Sequence, residues 1–291
     1  MARDITVTFN VTVDHPEALW LLHLGGRTPL WASVARDVLV DRNVMSSARS
    51  LSSVQHSADA VARNWWLSQL NNDKFVLNPI LCAFEGSWRR EPTFEEFCTE
   101  LGRASTDLAE SFPACRIVTH DAAHFAALYS LRQELWTRHG AESAFLIEVS
   151  PLITQRPGPR LARAIEARIF SAADQLGVPR RSLVVLAALA CLYEGQSGQG
   201  LLIGRGLLKP TADFDEEDAY NVLADLRGLE FLIRSSAHWG ASQALLTHDR
   251  CLAAFWCEIR LSELVVVNAI ASFKVAPSPS LLPGLKGELD L

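Results

Sequence analysis

No run of apolar residues in this chain reaches the length needed to cross a membrane. The longest, Leu183 to Tyr193, suits a buried helix. The first residues, Met-Ala-Arg-Asp, lead straight into a strand pattern without the apolar core of a secretory leader. Six cysteines, at 82, 98, 115, 191, 251 and 257, sit mostly inside apolar runs, with no Cys-x-x-C pair. That spacing speaks against a zinc site and fits free, buried thiols of a cytoplasmic protein. Lysine is scarce: of 27 basic residues only Lys74, Lys209, Lys274 and Lys286 are lysine. A net charge of −6 argues against a surface that binds nucleic acid all over. Contact with a phosphate backbone would need metal ions or a local arginine cluster, whose planar forks suit phosphate. GC-rich coding gives the same arginine bias.

Two familiar signatures are also missing. In Gly195-Gln196-Ser197-Gly198-Gln199-Gly200, Leu201 stands where a phosphate-binding loop needs Lys, and Gln199 where a nucleophile elbow needs Gly. The stretch reads as a flexible loop. What remains is a globular composition, 49% apolar and 21% charged, in 291 residues. That is enough for one large domain or a domain with a substantial insertion.

The most informative stretch is Val38-Leu39-Val40-Asp41-Arg42-Asn43-Val44-Met45. Its apolar triplet predicts a short buried strand of a parallel sheet. It ends on a carboxylate, which is costly there unless hydrogen bonds or a cation meet it. Asp41 or Asn43 can simply cap the following helix; alternatively the acid faces the crevice at the carboxyl ends of the strands. Near the other end, Ala244-Leu245-Leu246-Thr247-His248-Asp249-Arg250 repeats the pattern. An apolar strand before Asp-x-Asn, and a later one running into Thr-x-Asp, resemble the opening and closing motifs of the PIN-domain nucleases.

The resemblance implies an α/β fold with a central parallel sheet of PIN-like type and extensive helical additions. The whole chain, 1–291, would be one such domain, with an N-terminal strand extension at 1–35 and a mostly helical insertion at about 90–205. It implies a metal-dependent endonuclease, a ribonuclease before a deoxyribonuclease, with carboxylates holding Mg²⁺ or Mn²⁺. In the family's order the first acid is Asp41. The second is Glu85, on a helix opened by Pro79, and the last is Asp249. The third lies on the helix before the final strand. Asp225 fits that place, with Asp218 as the fallback, since Asp218, Asn221 and Asp225 share one face at helical spacing. A polar, solvated face is the plain reading of that spacing. Asn43 and Thr247 would support the carboxylates, and Arg42 and Arg250 flank the two strand-end acids. The implied partners are a nucleic acid, RNA before DNA, and an inhibitory protein, with no membrane.

Elsewhere, residues 5–13 alternate as a half-exposed strand, 17–35 read as a short helix and loop, and 44–71 as a long helix carrying His56. Thr93 to Glu96 is a capping box, Arg116-Ile117-Val118 a short apolar piece, and Phe145 to Val149 a strand candidate. Pro151 to Pro159 is a linker, 160–176 and 180–193 are helices, Leu264 to Val267 is a last strand, and the tail from Pro277 reads as mobile. Two rival readings stand beside the nuclease. His120-Asp121-Ala122-Ala123-His124 has helical metal-ligand spacing and a faint likeness to His-Asp metallohydrolases. The second rival is a catalytically inactive PIN-like binding or regulatory module.

Overall fold

The structure is a computed structural model that describes residues 18–30, 35–49, 58–87, 89–194, 201–239, 243–267 and 270–282. The strand at 5–13, His56 and the loop at 195–200 lie outside the described residues. The architecture is mixed α/β. Its main sheet has strands β1 (Trp20–His23), β2 (Gly26–Pro29), β3 (Asp37–Val40), β4 (Val76–Asn78), β5 (Arg116–Ile117) and β6 (Gln243–Thr247), in the order β2-β1-β6-β3-β4-β5. β6, β3, β4 and β5 are parallel; β1 adds to β6 antiparallel and β2 to β1. Val38, Leu39 and Val40 are buried, as strands covered on both faces require.

The chain walks outward from β3 through β4 to β5, then returns to the far side of β3 as β6. The order therefore reverses between β3 and β6, and in open α/β sheets ligands bind at such a switch point, beyond the carboxyl ends of the strands. β3 leads into helix α1 (Arg42–Arg49), then α2 (Ala58–Leu70). β4 leads into α3 (Ile80–Glu85) and α4 (Phe94–Ser111), whose Thr93–Glu96 capping box is present. Between β5 and β6 lie α5 (Ala122–Trp136), α6 (His139–Val149), α7 (Pro159–Gln175), α8 (Leu183–Tyr193), α9 (Ile203–Leu208) and α10 (Glu216–Trp239). All eleven residues of α8 are buried, which accounts for the longest apolar run. α11 (Arg250–Ile259) follows β6, and β7 (Leu261–Val267) and β8 (Ile270–Val275) form a separate hairpin.

Several sequence expectations are corrected. Residues 20–29 form the β1–β2 hairpin in place of a helix: Leu24-Gly25-Gly26 supplies the turn, with Gly26 at φ 130°. The Trp256 indole on α11 donates to the carbonyls of His23 (2.8 Å) and Gly26 (3.1 Å), fixing that hairpin. Phe145 to Val149 is helical, because Phe145, Leu146 and Val149 bury a helical face while Glu148 is exposed. β5 lies inside the segment read as inserted and belongs to the main sheet, so the helical addition begins after it. Residues 277–282 are tied down: Ser278 N–H donates to Glu258 O at 2.8 Å, and Leu281 and Leu282 are buried. Among the described residues no helix is long and apolar enough to cross a membrane.

Candidate functional site

β3 and β6 run side by side with Val40 opposite Leu246, so Asp41 and Thr247 emerge together at one sheet edge. Asp41 N–H donates to Leu246 O at 3.2 Å, extending the ladder by one bond. Thr247, fully buried, donates its hydroxyl to Asp41 Oδ2 at 2.8 Å and accepts the Asp249 amide at 2.9 Å. Each strand-end acid also serves the helix it introduces. Asn43 N–H donates to Asp41 Oδ1 at 3.3 Å, and Leu252 N–H to Asp249 Oδ1 at 2.8 Å. The plain capping role is therefore real at both positions. It accounts for one oxygen of each acid and leaves the next two acids unexplained.

Glu85 closes α3, where Asn78 Oδ1 accepts the Ile80 amide at 3.1 Å and Gly86 ends the helix at φ 71°. Its Oε1 lies 3.8 Å from Arg42 Nε, and the Tyr220 hydroxyl on α10 donates to its carbonyl oxygen. Asp225 sits mid-helix on α10, half-buried, one turn before Gly228. A β-carbon at Gly228 would meet Leu245 Cδ2 at 3.7 Å and Leu81 Cδ1 at 3.8 Å, so α10 lies close against β6 and α3 there.

Two cavities join these acids. Asp41, Glu85 and Asp225 line one of about 20 Å³ together with Leu81, Phe84 and Arg227. That is room for about one water. Glu85, Asp225 and Asp249 line a larger, mostly polar one of about 450 Å³, with Arg42, Asn43, Ser46, Ser87, Arg89, Lys209, Tyr220 and Asn221 among its walls. Its size is within the range of small-ligand clefts. Glu85 and Asp225 belong to both, so the four carboxylates surround adjoining space.

The electrostatics follow. Burial pushes the Asp41 carboxyl up, against the Thr247 and Asn43 hydrogen bonds, and the Asp249 carboxylate adds to the push. Glu85 is pushed up to about 7 by burial and then by Asp41, with Arg42 acting in the opposite sense. Asp225 is driven well above the usual range by burial and then by Asp41, Asp249 and Glu85, with Lys209 opposing. Among the described residues no three His, Cys, Asp or Glu side chains are placed as a ready-made cage for a metal ion. Glu85, Asp225 and Asp249 border the larger space, and Asp41 the small cavity beside it.

Other sequence candidates fall elsewhere. Asp218 is exposed in the first turn of α10, its Oδ2 3.4 Å from the Asp215 amide, and does not line either cavity. Arg250 is exposed. The His120–His124 pair is not a helical ligand set: His120 precedes α5, and Asp121 is its N-cap, accepting His124 N–H at 3.1 Å. Sequence reasoning does not reach Arg89, Lys209 or Tyr220. Each enters through tertiary packing, with no local spacing to mark it. No protein-family model, curated protein or solved structure matches this chain.

Proposed function

We propose that this protein is a divalent-metal-dependent endonuclease acting on RNA in preference to DNA, with Asp41, Glu85, Asp225 and Asp249 as its acidic residues. The observation that carries the reading is Asp225. It sits mid-helix, away from either end of α10, and its carboxyl stands in the field of three others at the switch point of the sheet. Such a cluster destabilises the protein unless cations offset it. Hard oxygen donors of this kind suit Mg²⁺ or Mn²⁺, and Mg²⁺ is commonly held through one or two carboxylates plus waters and phosphate oxygens. An open arrangement of acids fits that habit better than it fits a structural zinc site.

Bound there, the metal would supply a water ionised near neutral pH and positive charge against the developing phosphoryl oxygens. The chain's own part is positional. Thr247 binds the Asp41 carboxylate and the Asp249 backbone amide, and the Ile80–Glu85 helix presents Glu85 against Arg42. The order of the acids, with Asp-x-Asn after the first strand and Thr-x-Asp after the last, adds the resemblance to PIN-domain nucleases in support.

The rival reading, an inactive module of similar fold, is favoured by one observation: Asp41 and Asp249 both have capping duties of their own. The test is cleavage of a panel of single- and double-stranded RNA and DNA in Mg²⁺ and Mn²⁺. The nuclease cuts at least one substrate, and cutting stops with EDTA. An uncut panel with either metal overturns the proposal and leaves the inactive module.

A further inference from the structure

The larger cavity has three acids in its walls, Glu85, Asp225 and Asp249, and three cations, Arg42, Arg89 and Lys209. A site lined by acids alone would repel the phosphate backbone it has to admit, so the cations need an explanation of their own. Two of them have unusual backbones. Among the described residues the non-glycine residues in the left-handed region are Arg89 (φ 51°), Lys209 (φ 46°) and Arg260 (φ 42°). Two of the three thus line this one cavity, at conformations where glycine would be free of strain. Non-glycine residues in such conformations cluster at functional sites because the surrounding structure holds a side chain where it is needed.

Lys209 is held by close packing. It caps α9, its N–H donating to Arg205 O at 2.8 Å. α9 is pressed against its neighbours: a β-carbon on Gly204 would lie 2.2 Å from the Cys191 backbone nitrogen on α8, and one on Gly206 would lie 2.1 Å from Cys251 Sγ on α11. Glycine at both positions lets α9 settle there, and its end delivers an ammonium group to the cavity. Arg89 arrives separately, from the segment after Glu85, and pairs with the exposed Glu217 on α10. Exposed pairs contribute little, so a phosphate can replace Glu217. Arg42 adds a buried Nη1 that has no hydrogen-bond partner among the described residues.

We propose that Lys209 and Arg89 are the phosphate-holding residues of this cavity, gripping non-bridging oxygens of a nucleic-acid strand while the carboxylates would hold the metal ion. This rests on the nuclease reading. Lys209 acts as a point charge beside Asp225, and Arg89 as a planar fork at the exposed end of the cavity wall.

The backbone conformation makes glycine the clean substitution, because Lys209→Gly and Arg89→Gly remove the charge and relieve the strain together. The probes are a fluorescein-labelled single-stranded phosphorothioate oligonucleotide, titrated in Mg²⁺ over a range of KCl concentrations, and Mn²⁺ by calorimetry. Each variant should bind the strand roughly fivefold to tenfold more weakly, with a salt slope reduced by about 0.7 per lost phosphate contact. Mn²⁺ affinity should hold or tighten, since a neighbouring cation has gone. A double variant with wild-type strand affinity and salt slope overturns the proposal while leaving the nuclease reading intact. Parallel loss of strand and Mn²⁺ binding overturns it too, marking the residues as structural. A wild type that binds Mn²⁺ and no strand overturns this proposal alone. One that binds neither overturns both.

Discussion

Thr247 and Asp41, 206 positions apart in the chain, are joined by a hydrogen bond of 2.8 Å from the threonine hydroxyl to Asp41 Oδ2. The threonine hydroxyl oxygen in turn accepts the Asp249 backbone amide at 2.9 Å, so one buried hydroxyl holds the Asp41 carboxylate and the backbone at Asp249. Thr247→Val keeps the shape and removes the donor. It should destabilise the protein by about 1–3 kcal/mol, the cost of leaving a buried carboxylate oxygen unpaired. It should also weaken Mn²⁺ binding by roughly 10–100-fold, as loss of a ligand-orienting partner does. Thr247→Ser should recover most of both. Urea unfolding and calorimetry read the two effects, and a valine variant equal to wild type in each contradicts the account.

Asp225 and Asp218 separate the site from a solvated helix face. Asp225→Asn should abolish metal-dependent cleavage while raising the melting temperature of the EDTA-treated protein, because it removes one charge from a crowded cluster. Asp218→Asn, at an exposed position, should leave cleavage within about twofold, as surface changes away from a site do. Reversed results would move the third acid to Asp218.

The pH dependence carries its own sign. Glu85 is raised to about 7 in the fold, against an ordinary 4.5. Its contribution is therefore fully present below about pH 4.5 and is lost as pH climbs through about 7. Full ionisation would cost at most about 3 kcal/mol, reduced in practice because the side chain is 28% exposed. His139 works the other way: burial, then Arg227 and Arg132, push it down to about 4, so its stabilisation disappears as pH falls from about 6.5 to about 4. The useful quantity is the difference in unfolding free energy between wild type and Glu85→Gln, in which His139 cancels. In EDTA the variant should gain on wild type as pH rises from about 4.5 to about 7.5, and added Mg²⁺ should reverse that gain. A difference flat across this range contradicts the placement of Glu85 in the cluster.

How much of this is legible without the structure follows from the range of the forces involved. Val38 to Val40 and Ala244 to Leu246 announce themselves as strands because both faces are buried, and Asp41 and Asp249 are conspicuous as charges at their ends. Asp225 shows only as one of several acids at helical spacing; what distinguishes it from Asp218 is two turns of α10 that carry it over β6, which no local pattern encodes. The β1–β2 hairpin has a sequence mark, Gly25-Gly26 after an apolar run, that a helical reading of 17–35 passes over. β4 and β5, of three and two residues, are too short for periodicity to register. Lys209 is the least visible, since its position depends on Gly204 and Gly206 meeting α8 and α11.

The central claim is that four carboxylates from β3, α3, α10 and β6 act as one divalent-metal site. Calorimetric titration of Mn²⁺ into the EDTA-stripped, dialysed protein at neutral pH tests it directly, with Asp225→Asn as the paired sample. The account predicts saturable binding of one or two ions by wild type, weakened at least tenfold or lost in the variant. No heat of binding in a folded wild type, or equal binding by a folded Asp225→Asn variant, would contradict it.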